Sequence, residues 1–99
     1  MTAAPDNKMG TGLVTLRYWA SARAAAGVDS DPLDVSGLTT LADLISRAKA
    51  LHADSSRFAD VISCCSVMVG DRPVTSGDPE QVQVPAGSTV EFLPPFAGG

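Results

Sequence analysis

Apolar and polar residues alternate along several stretches of the chain, and this alternation predicts β-strands. The first stretch begins at Leu13, where Val14, Leu16 and Tyr18 share one face of an extended chain. Because successive side chains of a strand point to opposite faces, this stretch predicts a half-buried strand. Short strands are also expected at Leu33 and Val35, over residues 64–69, at Pro73-Val74, at Val82 to Val84, and at Val90 to Leu93.

A different spacing predicts one main helix in the middle of the chain. Thr40 followed by Asp43 resembles a capping box, which starts helices. Apolar residues then recur three and four positions apart, which places them on one stripe of a helix. The residues of this stripe are Leu41, Leu44, Ile45, Ala48 and Leu51.

Two shorter segments also favour helical turns. The alanine-rich stretch from Ala20 to Ala26 precedes Gly27, a residue type typical of the position after a helix. A further turn is expected around Phe58, Val61 and Ile62. The resulting order of strands and helices predicts an α+β fold with one mixed sheet and one main amphipathic helix packed across it. The ubiquitin-like β-grasp is the compact fold with this order.

Composition divides the chain into a domain and two tails. The start of the sequence is polar and rich in Gly, Ala and Asp, so residues 1–12 are expected to form a disordered tail. Residues 13–95 carry the β-grasp pattern. Residues 96–99 follow two prolines, which stop a strand, and are expected to form a flexible Gly-Gly tail.

Charge and hydropathy narrow the classes of partner. The formal net charge is −4, and the seven lysines and arginines form no basic stripe, so nucleic-acid binding is not expected. An acidic surface suits a protein partner with a basic docking face, although the charge also has the simpler role of maintaining solubility. No signal-peptide h-region and no membrane-spanning apolar run are visible, so we expect a cytoplasmic protein with no membrane partner.

The usual catalytic residue sets are missing from the sequence. It contains neither a Walker A motif nor a Gly-x-Gly-x-x-Gly motif. The only histidine, His52, is expected to be solvated or to cap the main helix. The adjacent Cys64 and Cys65 are expected to be reduced and structural, and no metal site is predicted. A solvated acidic edge is expected at Asp29, Asp31 and Asp34. The chain is therefore not expected to be catalytic by itself.

The end of the sequence offers a different kind of chemistry. Gly98 and Gly99 follow the last strand through Pro94 and Pro95, which would hold them away from the domain on a semi-rigid stalk. Glycine has no side chain, so such a tail fits a narrow tunnel. The terminal carboxylate becomes an electrophile once a partner adenylates it, and sulfur replacing the adenylate would give a thiocarboxylate.

Two stretches of the sequence resemble the ubiquitin-like sulfur carriers, in particular the small subunits of molybdopterin synthase. They are Leu16-Arg17-Tyr18-Trp19-Ala20-Ser21-Ala22-Arg23 with the later Gly27, and Val90-Glu91-Phe92-Leu93-Pro94-Pro95-Phe96-Ala97-Gly98-Gly99. The resemblance implies that an ATP-using adenylyltransferase related to ubiquitin-activating enzymes activates Gly99 and that a sulfurtransferase supplies the sulfur. Inside the large subunit of molybdopterin synthase, the thiocarboxylate would then give its sulfur to cyclic pyranopterin monophosphate. No cofactor bound to this chain is implied.

The resemblance also suggests which residues contact partners. Aromatic and apolar residues near the tail are candidates for docking contacts, because aromatic anchors dominate interfaces. These candidates are Phe92, Pro94, Pro95, Phe96 and Ala97. For Phe92 a core position is the alternative, favoured by its alternation with Glu91. Two other functions remain open: a related carrier for thiazole or cysteine synthesis, and a non-catalytic ubiquitin-like binding module.

Overall fold

A computed structural model describes residues 11–75 and 77–95 of the chain. These residues form seven strands, three α-helices and one 3₁₀ helix. In chain order they are β1 (Thr11–Tyr18), α1 (Ala20–Ala26), β2 (Ser30–Ser36), β3 (Leu38–Thr40), α2 (Leu41–Leu51), α3 (Phe58–Cys64), β4 (Ser66–Val69), β5 (Arg72–Pro73), a 3₁₀ helix (Pro79–Gln81), β6 (Gln83–Pro85) and β7 (Thr89–Leu93).

The strands form a five-stranded mixed sheet in the order β2-β1-β7-β4-β5. Strands β1 and β7, from opposite ends of the chain, lie side by side and parallel near its centre. The pairs β1–β2, β4–β7 and β4–β5 are antiparallel. This topology confirms the predicted ubiquitin-like β-grasp. A separate antiparallel ladder of β3 and β6 lies outside this sheet. The strand expected at Val82 to Val84 corresponds to β6, whereas the sequence pattern predicts neither β3 nor the pairing of the two strands.

One apolar core lies between the sheet and the helices, and the strand alternation identifies most of its members. Val14, Leu16 and Tyr18 of β1 are buried, as predicted. Helix α2 contributes Leu41, Leu44 and Ala48 to the same core, whereas Leu51 at its end is 56% exposed. The prediction that Leu51 lies on the buried stripe is therefore wrong. The other buried apolar residues are Ala22, Leu33, Val35, Phe58, Ile62, Val84, Val90 and Phe92.

Helix α2 begins with half of the predicted capping box. The Thr40 hydroxyl accepts a hydrogen bond from the Asp43 backbone N–H at 3.1 Å, which satisfies one unpaired donor of the first turn. The Asp43 carboxylate accepts from the Thr39 hydroxyl, also at 3.1 Å. Asp43 additionally places a negative charge at the positive end of the helix dipole.

Several strand boundaries differ from those expected, among them the starts of β1 and β4. Strand β1 begins at Thr11 and not at Leu13, because Thr11 and Gly12 pair with the end of β2. The other residues of the expected N-terminal tail, 1–10, lie outside the described residues, as do residues 96–99. Cys64 ends helix α3, and β4 starts only at Ser66, so the strand expected from residue 64 is two residues shorter.

A tight contact explains the glycine near the start of β1. A Cβ atom added to Gly12 would lie 2.8 Å from the Cβ of Ala86, closer than real Cβ contacts. We expect Gly12→Ala to lower the free energy of unfolding by about 1–3 kcal/mol, because overpacking forces the backbone to shift. Thermal or denaturant unfolding measures this change.

The matched test of that contact removes the opposing methyl group. In the double variant Gly12→Ala with Ala86→Gly the two Cβ atoms no longer collide, so we expect it to recover most of the stability lost in the single variant. Additive effects of the two substitutions would show that this contact does not explain the cost of Gly12→Ala.

Candidate functional site

The fold brings the end of the last strand to the start of the first helix. Because β1 and β7 are parallel, with Tyr18 opposite Phe92, the C-terminal ends of both strands lie side by side at the same end of the sheet. The Trp19 backbone N–H donates to the Phe92 carbonyl at 3.2 Å. The chain therefore leaves β7 beside helix α1, and Pro94 is the first residue beyond the sheet.

Phe92 is a core residue and not a docking residue. Its side chain is fully buried, and its ring stacks on that of Tyr18 with a centroid separation of 5.9 Å. A side chain without exposed surface offers a partner no contact. The docking prediction for Phe92 is therefore wrong, and the alternative that its alternation with Glu91 favoured is confirmed.

The two prolines beyond β7 border a shallow groove between α1 and α3. Pro94 is half-buried and Pro95 is exposed. The groove has a volume of about 290 Å³. Its remaining lining residues are Ser21, Asp60, Val61 and Cys64. The other predicted site residues, Phe96, Ala97, Gly98 and Gly99, lie outside the described residues, so their predicted roles remain predictions.

The surface beside this exit carries an aromatic residue that sequence reasoning did not select. Trp19 is 39% exposed, and the Arg17 guanidinium carbon lies 4.9 Å from the centre of a Trp19 ring. This distance is typical of a cation–π contact. A signal was present in the sequence: by alternation with the buried Tyr18, Trp19 falls on the polar face of β1, where a large aromatic residue is unusual.

The two cysteines differ in environment. Cys64 is exposed, and Cys65 is half-buried with its thiol donating to the Val61 carbonyl at 3.3 Å. Burial, with a smaller contribution from the neighbouring Cys64, raises the pKa of the Cys65 thiol to about 11. Cys65 therefore stays protonated near neutral pH and is inert as a nucleophile. Both thiols are free, as predicted.

His52 and Asp31 belong to a half-buried hydrogen-bonded cluster, so Asp31 departs from the expected solvated edge, whereas Asp29 and Asp34 are exposed as expected. Asp31 Oδ2 accepts from the Tyr18 hydroxyl at 2.9 Å and also contacts His52 Nε2. Burial, followed by the hydrogen bond to Asp31, raises the pKa of Tyr18 well above its ordinary value. The backbone N–H of His52 donates to the Ala48 carbonyl, so this residue also caps α2, as predicted.

The cluster is expected to stabilise the fold. Asp31→Ala leaves the Tyr18 hydroxyl and the His52 ring without their shared acceptor. We therefore expect it to lower the free energy of unfolding by about 1–3 kcal/mol. Asp34→Ala, which removes an exposed carboxylate from the same strand, is expected to change stability by about 0.5 kcal/mol or less. Equal unfolding midpoints for the two variants would contradict this role of Asp31.

The described residues offer little to bind a metal ion. Between residues 11 and 95, with residue 76 left aside, no three His, Cys, Asp or Glu side chains lie together as a metal-binding group. Among the same residues no helix is long and apolar enough to cross a membrane.

A comparison with known protein families covers the segment of the chain that leaves β7 beside α1. The model of a family described as the ThiS family matches residues 16–99, which includes β7, the two prolines and the terminal glycines. This chain belongs to the ThiS family. No curated protein matches the sequence.

Solved structures similar to the ThiS-family chain share its fold. A putative molybdopterin converting factor, subunit 1, from Pyrococcus furiosus is 22% identical over 86% of this chain and 99% of its own, with a TM-score of 0.68. SAMP1 from Haloferax volcanii is 19% identical over 89% of this chain and 100% of its own, with a TM-score of 0.72.

A third similar structure contains two proteins. It is a complex of subunits 1 and 2 of molybdopterin-converting factor from Helicobacter pylori 26695, in which a chain 16% identical to this one covers 88% of it and 99% of its own length, with a TM-score of 0.55. At these identities the three structures establish the fold. Together with the family match, they identify the ThiS-family chain as having the ubiquitin-like sulfur-carrier fold and leave its pathway open.

Proposed function

We propose that this chain is the sulfur-donating small subunit of a molybdopterin synthase. The observation that carries the proposal is the position of β7. It is an inner strand of the sheet, and its last residue, Leu93, leads directly into Pro-Pro-Phe-Ala-Gly-Gly at the edge where α1 begins. Because β7 is packed in the sheet, the start of the tail at Pro94 has a fixed position on the domain. A partner that binds the domain can therefore position the terminal carboxylate.

The chemistry at Gly99 would proceed in two displacements. The Gly99 carboxylate attacks the α-phosphorus of ATP on the activating enzyme, which releases pyrophosphate and leaves an acyl adenylate. Hydrosulfide, released from the persulfide of a sulfurtransferase by a thiol reductant that becomes a disulfide, then attacks the carbonyl carbon. AMP leaves, and the product is the thiocarboxylate. Each step requires the partner to hold the reacting atoms in the correct orientation. Glycine suits this requirement because it has no side chain that would collide with the walls of the partner's active site.

The choice of acceptor rests on similarity and on the tail. A chain similar to this one is solved in complex with subunit 2 of molybdopterin-converting factor, which supports a large synthase subunit as the partner. The retained docking candidates are Pro94, Pro95, Phe96 and Ala97, which join the domain to the glycines. Their apolar side chains suit a hydrophobic entrance to a partner's active site.

Parallel transfer reactions test this choice of acceptor. Thiocarboxylated chain is mixed in separate reactions with a molybdopterin synthase large subunit and cyclic pyranopterin monophosphate, with a thiazole-forming enzyme, and with a cysteine-forming enzyme. We expect sulfur to be consumed in the first reaction alone, with formation of the dithiolene. Consumption in either of the others, with none in the first, would contradict the proposed pathway while preserving the chemistry at Gly99.

A second candidate function follows from the likeness to SAMP1, which is named in related structures as a small archaeal modifier protein. A modifier would transfer its activated Gly99 carbonyl to an amine on another protein, giving an amide. The observation that favours this candidate is that three of the similar structures are SAMP1 chains, with TM-scores of 0.72, 0.69 and 0.68. Covalent conjugates that depend on Gly99 would distinguish this candidate from a dedicated sulfur donor.

A further inference from the structure

The groove between α1 and α3 has the size and chemistry of a site for one apolar side chain. Its volume of about 290 Å³ lies just below the range of roughly 300–1,000 Å³ typical of small-molecule sites. Val61 and the two proline rings supply apolar walls, and the surface between them is far more apolar than polar. Covering such a concave apolar surface with a ring removes it from water and lowers the free energy of the folded protein.

The residues that follow Pro95 include one side chain able to fill this groove. Phe96 is bonded directly to Pro95, a lining residue, so the two Cα atoms are about 3.8 Å apart. Ala97, Gly98 and Gly99 have little or no side chain to bury. We propose that the ring of Phe96 docks into this groove in the free protein, so that the chain binds the base of its own tail.

One charged residue borders the groove and biases which part of the tail binds there. The Asp60 carboxylate borders the groove, and a second carboxylate beside it would be repelled. The groove therefore disfavours the Gly99 carboxylate relative to the uncharged Phe96 ring. Three residues separate Phe96 from the end of the sequence, which lets the carboxylate lie up to about 10 Å from the ring.

The two prolines lower the entropic cost of docking. Proline fixes φ near −65°, and a residue that precedes proline is restricted to extended conformations, so the segment from Leu93 to Pro95 that carries Phe96 has few backbone conformations. A segment that is already restricted loses less freedom when it binds. Docking in the free protein does not depend on the sulfur chemistry. If a partner takes up the extended tail, the ring must first leave the groove, so the two states are in competition.

Shielding of Cys64 provides the test, because this exposed thiol lines the groove. The full chain is treated with limiting N-ethylmaleimide, and alkylation at Cys64 is followed by fragment mass spectrometry. We expect Phe96→Ala to raise the alkylation rate of Cys64 by about threefold or more, since partial burial of one ring shifts such an equilibrium by a factor of a few. Leu38→Ala, which truncates an exposed side chain outside the groove, should leave the rate unchanged.

A second measurement reports the contact directly in the unmodified chain. We expect nuclear Overhauser effects between the Phe96 ring protons and the Val61 methyl groups. Either the absence of this signal or equal Cys64 alkylation rates in Phe96→Ala and the unmodified chain would overturn the proposal. Neither measurement involves ATP, sulfur or a partner, so failure here is distinct from failure of the proposed function.

Discussion

Deletion of Gly99 is expected to reduce sulfur transfer to the acceptor by at least about 100-fold, because an error of even 1 Å at a reacting group costs that much. The deletion moves the terminal carboxylate back by one residue, about 3.5 Å, while the partner's catalytic groups stay where they are. The measurement is product formation in a reconstituted reaction with ATP, the activating enzyme, a sulfur source and the acceptor enzyme.

The control for this deletion is the stability of the domain. The buried core ends at Phe92, and the described residues from Leu93 to Pro95 contribute no fully buried side chain. We therefore expect the shortened chain to unfold at the same denaturant concentration as the full chain. Undiminished product from a chain that folds normally would contradict the role of Gly99.

Truncation of Phe92 is expected to have the largest effect on stability. Its fully buried ring stacks on Tyr18, which itself packs edge-on against Phe58 at a centroid distance of 5.5 Å. Removing the ring opens a cavity in the centre of the core, so we expect Phe92→Ala to lower the free energy of unfolding by about 3–5 kcal/mol. Small domains have only about 5–15 kcal/mol in total, so much of this variant should unfold on mild heating.

The matched control is another apolar side chain cut back to alanine. Leu51→Ala removes a side chain that is 56% exposed, and surface changes of this kind stay within about 0.5 kcal/mol. Chemical denaturation of both variants compares them directly. A Phe92→Ala variant as stable as Leu51→Ala would mean that Phe92 is not part of the core and would return it to the docking candidates.

The elements that sequence reasoning predicted are those with a strong local period. Strand β1 and helix α2 each bury one regularly spaced face, which a two-residue or a 3.6-residue period reveals. Strand β3 has only three residues, too few to show a period, and it pairs with a strand far along the chain, so the sequence pattern predicts neither β3 nor its pairing with β6. The apolar run around Cys64 has no clear period, so the sequence predicts the start of β4 two residues too early.

Contacts between distant residues were the part of the site that local patterns did not predict. Tyr18 and Asp31 are 13 positions apart, and Asp31 and His52 are 21 apart, so their cluster depends on how β1, β2 and the end of α2 come together. Each of these residues alone resembled an ordinary surface or core position. The groove also depends on contacts between distant parts of the chain, because its walls come from α1, α3 and the two prolines Pro94 and Pro95.

The measurement that tests the central claim most directly is the intact mass of the full chain after incubation with its activating enzyme, ATP and a sulfur source. The account predicts a mass gain equal to the exchange of one oxygen for sulfur, with fragmentation placing the change at Gly99. A chain that keeps its original mass, while a known carrier in the same reaction gains sulfur, would contradict the claim that this protein carries sulfur on its terminal glycine.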